Sequence, residues 1–209
     1  MCQDACIELL NECDIACPET VWAVLERHLD LVRAWNDVAS LVSQRDLDRL
    51  MVAHVVDSLS LAGPVVRACG GEGRLLDVGS GAGFPAIPLK VLLPGLDVTL
   101  VERSTRKVGF LRKAVATLGL PGVTVVAGEF PSCVRCGDSD VVTARAVERP
   151  GKILRAVAPF VDAGAVFLCQ SRDPGAVLAP EFHVEHVRDA WTAKGLRRGE
   201  LFIVRRVLE

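Results

Sequence analysis

Apolar positions follow two different rhythms along this chain. In the first third they recur every three to four residues, the spacing of one helix face. Pro18 suits the first turn of a helix, and Val21, Trp22, Leu25, Leu29 and Val32 then fall on one stripe. A second helix is predicted to start near Asp46, an N-cap residue type, and to run through Leu50, Val55, Val56 and Leu59 toward Gly63-Pro64. Gly70-Gly71-Glu72-Gly73 is the clearest break. It separates a helical extension over residues 1–70 from a second unit over residues 71–209.

Beyond the break, short apolar runs alternate with helical patterns. Runs at 74–78, 97–101, 123–127, 140–143 and 165–169 read as strands. Helices are predicted over 85–93, from Ser104 to Leu118 with Gly119 as a C-cap, and over 152–160. Residues 182–187 and 201–207 read as a terminal antiparallel pair. Strands alternating with helices imply an α/β fold, with a mostly parallel, doubly wound sheet of seven strands.

Composition narrows the classes. The chain has 209 residues, 50% hydrophobic and 24% charged, so global disorder is excluded. No apolar run is expected to reach the ~18 residues needed to span a bilayer. The acidic first residues lack the basic region of a signal peptide, so the expected location is the cytoplasm. Residues 1–62 carry 11 acidic and 4 basic side chains, whereas residues 63–209 carry 15 acidic and 20 basic. This asymmetry fits two solvated faces of opposite bias, or a polyanionic partner for the basic part. Eight cysteines include a lone Cys133-x-x-Cys136 and the i,i+4 pairs Cys2/Cys6 and Cys13/Cys17, which suit one helix face. No second CxxC or His pair completes a zinc site, so no metal is expected.

The chemistry concentrates after the first strand, in Asp77-Val-Gly79-Ser80-Gly81-Ala-Gly83-Phe84-Pro85. Glycines at alternate positions remove Cβ atoms where a ligand must approach the backbone. Gly81-Ala-Gly83-Phe-Pro-Ala86 satisfies a dinucleotide GxGxxG/A pattern literally, but it starts late after the strand and leaves Asp77 without a role. Pro85 would also sit where a pyrophosphate needs N–H donors. The frame from Gly79 suits S-adenosylmethionine, which has no phosphate to cradle. Asp77 can then order its methionine end. Twenty-five residues later, Glu102 ends the next strand, where a carboxylate can accept both ribose hydroxyl protons. Gly128-Glu129 after the third strand is a weaker candidate for the adenine edge.

The segment Asp77-Val-Gly-Ser-Gly-Ala-Gly-Phe-Pro-Ala-Ile-Pro-Leu resembles the signature of the RsmG/GidB family, bacterial small-subunit (16S) rRNA guanine-N7 methyltransferases. Trp35-Asn36, Arg45-Asp46 and Ala53-His54-Val-Val-Asp57-Ser58-Leu are similar to its N-terminal helices. Glu102-Arg-Ser-Thr-Arg-Lys-Val-Gly-Phe-Leu, Thr143-Ala-Arg145-Ala and Gly199-Glu-Leu-Phe-Ile-Val-Arg-Arg206 resemble later segments. Three positions depart from the family. Ala53 stands where an Arg is usual, the loop at Gly128-Glu129 is short, and Cys169-Gln170-Ser171-Arg172 replaces a Lys-Gly.

The resemblance implies a Rossmann-like class I S-adenosylmethionine-dependent methyltransferase fold with an N-terminal helical extension. It implies methyl transfer to guanine N7 in small-subunit rRNA or the assembled subunit, with S-adenosylhomocysteine as product, and neither DNA nor membrane as partner. It places Gly79, Phe84 and Glu129 at the cofactor and Arg145 where donor and target meet. Guanine N7 has a free in-plane lone pair, so no general base is expected; Arg145 serves to position. His54, Asp57 and Ser58 share a helix face, either toward the cleft or in local hydrogen bonds. Arg103, Arg106, Lys107, Arg172, Arg197 and Arg198 are candidate phosphate contacts, with Arg112, Lys113, Arg205 and Arg206 nearby. Solvated charge is the alternative reading for the helix cluster. Two other functions fit the pattern: a methyltransferase for another RNA or a small molecule, and a non-catalytic cofactor-binding assembly factor.

Overall fold

The computed structural model describes residues 2–145, 150–171 and 182–207. Seven strands form one sheet in the order β3-β2-β1-β4-β5-β7-β6. They are β1 (Arg74–Val78), β2 (Asp97–Glu102), β3 (Val123–Ala127), β4 (Val141–Arg145), β5 (Val166–Ser171), β6 (Phe182–Val187) and β7 (Glu200–Arg206). All neighbours from β3 through β5 pair parallel, while β7 runs antiparallel to both β5 and β6. This is the mostly parallel, doubly wound seven-stranded α/β sheet expected. Strand order reverses between β1 and β4, and ligands of such sheets sit at that point, beyond the carboxyl ends.

Before the sheet come α1 (Cys2–Asn11), α2 (Glu19–Ala39), a 3₁₀ segment (Gln44–Arg49), a π-helical segment (Met51–Val56), the single turn α3 (Asp57–Leu59) and α4 (Ala62–Cys69). After it begins come α5 (Ala86–Leu92), α6 (Thr105–Leu118), α7 (Pro150–Asp162) and the short α8 (Ala190–Ala193). The predicted stripe on α2 is buried: Leu25, Leu29 and Val32 are fully enclosed, each worth about 2 kcal/mol in water-excluded surface. Asn36 lies in the last turn of that helix. Its Oδ1 accepts the amides of Leu41 and Val42, both at 2.9 Å, and turns the chain back.

The second predicted helix differs from expectation. It is not one α-helix but a 3₁₀, π and α succession, and Gly63-Pro64 falls in the first turn of α4 rather than ending a helix. Pro64 fits there because first-turn amides need no intrahelical acceptor. Cys13 and Cys17 lie beyond α1, so that pair shares no helix face. Met51–Cys69 does contain 19 residues apolar enough to cross a membrane, contrary to the expectation that no run would. It is 72% buried inside the protein, and serves as core.

The two sheet faces have separate cores. Leu75, Val98, Leu100, Val141, Leu168 and Ile203 pack with the N-terminal helices, α5 and α6. Leu76, Val78, Val142, Phe167, Phe202 and Val204 pack with α7. Alternation along each strand decides which face a residue joins. The same alternation sends Asp77, Thr143, Arg145 and Gln170 toward the N-terminal helices, at the carboxyl end of the sheet.

Candidate active site

The glycine loop leaves β1 with positive φ at Gly79 (71°), Gly81 (55°) and Gly83 (83°), a region side chains rarely adopt. A Cβ on Gly83 would strike Ile87, with Cγ1 at 2.8 Å. A Cβ on Gly79 would meet nothing within 4 Å, so open space lies above that backbone. The loop is tied to β2 rather than free. Val101 O accepts the amides of Gly79 and Ser80 at 2.9 and 3.0 Å. Glu102 braces it further: Oε2 accepts the Gly81 amide at 3.0 Å, and Oε1 accepts the Ser104 amide at 2.8 Å. Each carboxylate oxygen keeps a second lone pair for a ribose hydroxyl.

Asp77 lies beneath this loop, 1% exposed. Thr143 donates to its Oδ1 at 2.7 Å, while Oδ2 is buried without a partner. Burial pushes the carboxyl up to about 6, against the pull of Thr143. Ser80 turns its hydroxyl onto the Asp77 carbonyl at 3.0 Å and so tightens the turn. The orphaned oxygen, the open space at Gly79 and the strand-end Glu102 fit an adenosyl cofactor with a cationic methionine end. Farther along the edge, Gly128 follows β3 and leaves room for Cys133, whose Cβ would sit 2.7 Å from a Cβ there. Glu129 is exposed.

Arg145 ends β4 and meets residues of the N-terminal helical region. Its Nη1 donates to Asp57 Oδ2 at 2.7 Å, and its Nη2 meets His54 Nδ1 at 2.5 Å. Asp57 is a hub. Its Oδ1 accepts Gln170 Nε2 at 3.1 Å and the Arg198 amide at 2.6 Å. Burial pushes the Asp57 carboxyl up and the Arg145 guanidinium down, so desolvation outweighs their attraction in both. The contact at 2.7 Å is nonetheless a charge-assisted bond. His54 is held at about 4 by burial, then by the Arg145 charge, so the ring is neutral at pH 7 and Nδ1 accepts. His54 and Asp57 therefore face the strand ends, whereas Ser58 spends its hydroxyl on the His54 carbonyl.

Phe84 is the plate beneath this cluster. His54 stacks on it at 4.9 Å, His28 tilts against it at 4.9 Å, and the Arg145 guanidinium carbon lies 5.4 Å from its centre. Phe84 is only 6% exposed and packs under the glycine loop. His28 is fully buried and held at about 4 by burial. Its Nε2 donates to Ala82 O at 2.9 Å, which clamps the loop from α2.

His28 lies in no motif that would flag it, and Thr143 and Gln170 lie in segments compared with the family but were given no role of their own. The available signal was weak: a histidine on an apolar helix stripe, and polar residues at strand ends beside Asp77 and Arg145.

The basic candidates separate. Arg103 and Arg106 are exposed, Lys107 partly so, and none makes an ion pair among the described residues. They flank the start of α6, at the carboxyl edge of the sheet. Arg112 and Lys113 lie farther down α6, away from that edge. Arg198 is half-exposed and reaches Asp46 Oδ1 at 3.1 Å and Ala53 O at 3.4 Å. Arg197 is a correction. Its side chain is fully buried, bound to Asp189 at 2.8 and 2.9 Å and to Ser60, so it has no face for a phosphate. Arg205 pairs with Glu185. Arg172 lies outside the described residues. The charge asymmetry also has an internal use: Arg145–Asp57, Arg198–Asp46 and Lys194–Glu8 tie the basic part to the acidic one.

Comparison with known proteins gives the fold and the family. In solved structures, the fold is shared with MtNAS in complex with S-adenosylmethionine (TM-score 0.59, 17% identity, 88% of this chain and 75% of that one). It is also shared with a putative methyltransferase from Escherichia coli (TM-score 0.53, 17% identity, 73% and 87%). "Ribosomal RNA small subunit methyltransferase G" of Chloroflexus aggregans is 36% identical over 186 residues, covering 87% of this chain and 77% of the relative. The protein of the same name from Neisseria gonorrhoeae is 42% identical over 130 residues, covering 61% and 59%. Residues 22–173 match the GidB family, described as rRNA small subunit methyltransferase G. A family match across most of the sheet, together with relatives of this identity, means that the chain belongs to the GidB family.

Proposed function

We propose that the protein transfers a methyl group from S-adenosylmethionine to N7 of a guanine in small-subunit ribosomal RNA, in the cytoplasm. The observation that carries this reading is the juxtaposition at the β1/β4 switch point. A glycine loop over a buried carboxylate with one unpaired oxygen lies beside a clamped guanidinium. Family membership supplies the substrate class.

S-adenosylmethionine supplies a methyl group already activated on a sulfonium. The protein's own residues bind and orient. Asp77 Oδ2 would accept from the cofactor's cationic amine, the Gly79 and Gly81 backbone would allow close approach, and Glu102 would hold the ribose hydroxyls. Gly128 and Glu129 would border the adenine. Guanine N7 needs no deprotonation, so alignment carries the rate, with N7 held about 3–3.5 Å from the methyl carbon. Arg145 is pre-set for this work. Asp57, His54 and Phe84 fix its plane before RNA arrives, which lowers the ordering cost at binding. Its donors suit guanine O6, leaving N7 free. Arg103, Arg106, Lys107 and Arg198 bring phosphates to the same edge.

Labelled-methyl transfer to unmodified small subunits, naked small-subunit rRNA and unrelated RNA tests the reading. Label on guanine N7 of small-subunit RNA is the expected result. Transfer only to another RNA, another base atom or a small molecule overturns it.

A further inference from the structure

Gln170 lies one residue before the end of β5, beside Arg145, its direct partner in the parallel pairing of β4 and β5. Its side chain is 5% exposed. Asp57 decides which way its amide faces: Oδ1 takes the Gln170 Nε2 hydrogen at 3.1 Å, and a carboxylate cannot accept from the carbonyl end. The amide oxygen is thereby left as an acceptor, and it is buried with no partner. An unpaired buried acceptor is costly, and a bound donor removes that cost. On the same row, Arg145 presents guanidinium donors. Two groups on neighbouring strands are about 4.8 Å apart at the backbone, so their side chains reach adjacent atoms of one planar base.

We infer that Gln170 Oε1, with Arg145 beside it, reads the Watson–Crick edge of the target guanine. Arg145 donates to O6 and Gln170 accepts from N1–H. Guanine offers that order, acceptor then donor. Adenine offers the reverse at the same atoms, with an amine at C6 and a bare N1, so both contacts become mismatched. The pairing also favours the reaction itself. Methylation at N7 makes the ring cationic and N1–H a stronger donor, so the bond to Gln170 strengthens as the methyl group arrives. This assignment rests on the guanine-N7 reading and deepens it.

The test uses the full chain and rRNA fragments carrying guanosine, inosine or 2-aminopurine at the mapped target. Inosine keeps O6 and N1–H; 2-aminopurine lacks both. Wild-type protein should accept inosine within about threefold of guanosine and reject 2-aminopurine by at least about tenfold in kcat/KM. Gln170→Met should lower kcat/KM on guanosine by about 10- to 100-fold and narrow the guanosine/2-aminopurine ratio by a similar factor. Its affinity for S-adenosylmethionine, measured by calorimetry, should stay within about twofold, which also reports that the variant is folded. An unchanged ratio in Gln170→Met overturns the assignment. So does wild-type protein that rejects inosine as strongly as 2-aminopurine, a comparison that needs no variant. Wild-type transfer at guanine N7 with indifference to all three bases removes the edge reading by Gln170 and Arg145 and leaves the guanine-N7 reaction standing. No N7 transfer to guanosine at all removes the underlying reading and this assignment with it.

Discussion

Two buried aspartates divide the site between them. Asp77, on β1, keeps one oxygen on Thr143 and leaves the other unpaired. Asp57, on the N-terminal helices, has both oxygens occupied by Arg145, Gln170 and the Arg198 amide. Burial raises both carboxyls. The difference lies in satisfaction. A buried polar group that lacks a partner is poised for a ligand, whereas a fully satisfied one ties elements together. The β1–β2 half of the site thus keeps an unpaired oxygen, and the β4–β5–β7 half is a clamp that fixes Arg145. Under the proposed function the first half takes the cofactor and the second meets the RNA base.

That contrast sets the expected scale of each perturbation. Asp57→Ala should be the most severe, because it leaves Arg145 buried without its counter-charge. We expect a loss of about 3–5 kcal/mol in chemical denaturation, together with methyl transfer. Asp77→Asn should separate the two roles. S-adenosylmethionine affinity by calorimetry should fall about 10- to 100-fold, the scale of one charged hydrogen bond. Stability of the ligand-free protein should instead rise at pH 7. The folded carboxyl sits at about 6 against 3.8 when unfolded. Ionisation therefore favours the unfolded chain, and stability is lost as pH climbs from about 4 to above about 6, by about 3 kcal/mol. The asparagine variant should lose that slope. Cofactor affinity in the wild type should show the opposite trend, weakening as pH drops below about 6 and Asp77 gains a proton. If Asp77→Asn destabilises as Asp57→Ala does, the two halves are not distinct.

The smallest effects belong to the surface. Arg103→Ala and Arg106→Ala should each reduce the salt dependence of RNA affinity by about one unit of slope, without moving cofactor affinity. Arg197→Met should leave that slope unchanged and cost stability instead, because its guanidinium serves Asp189 and Ser60.

The legible part of the site was local. Asp77, the glycines and Glu102 lie within 26 residues, on a strand, a turn and the next strand, where spacing alone sets their relation. Helix stripes and strand runs were equally readable, since burial of one face imposes a period. The succession from Gln44 to Leu59 was not, because its segments of 6, 6 and 3 residues hold too few apolar positions to tell the 3₁₀, π and α periods apart. Arg197 and Arg198 show the same limit more sharply. They are adjacent in sequence and equal in charge, yet one is sealed in the core and the other is half in solvent.

The chain's own order of residues thus determined the α/β alternation, the phosphate-free glycine turn and the acid that follows it, because each depends on neighbours a few residues away. Only the tertiary structure decided that Asp57 holds Arg145, Gln170 and Arg198 across separations of 88, 113 and 141 residues, and which buried oxygens were left over. Hydrogen-bond satisfaction is a property of the closed packing, and no pattern along the chain encodes it.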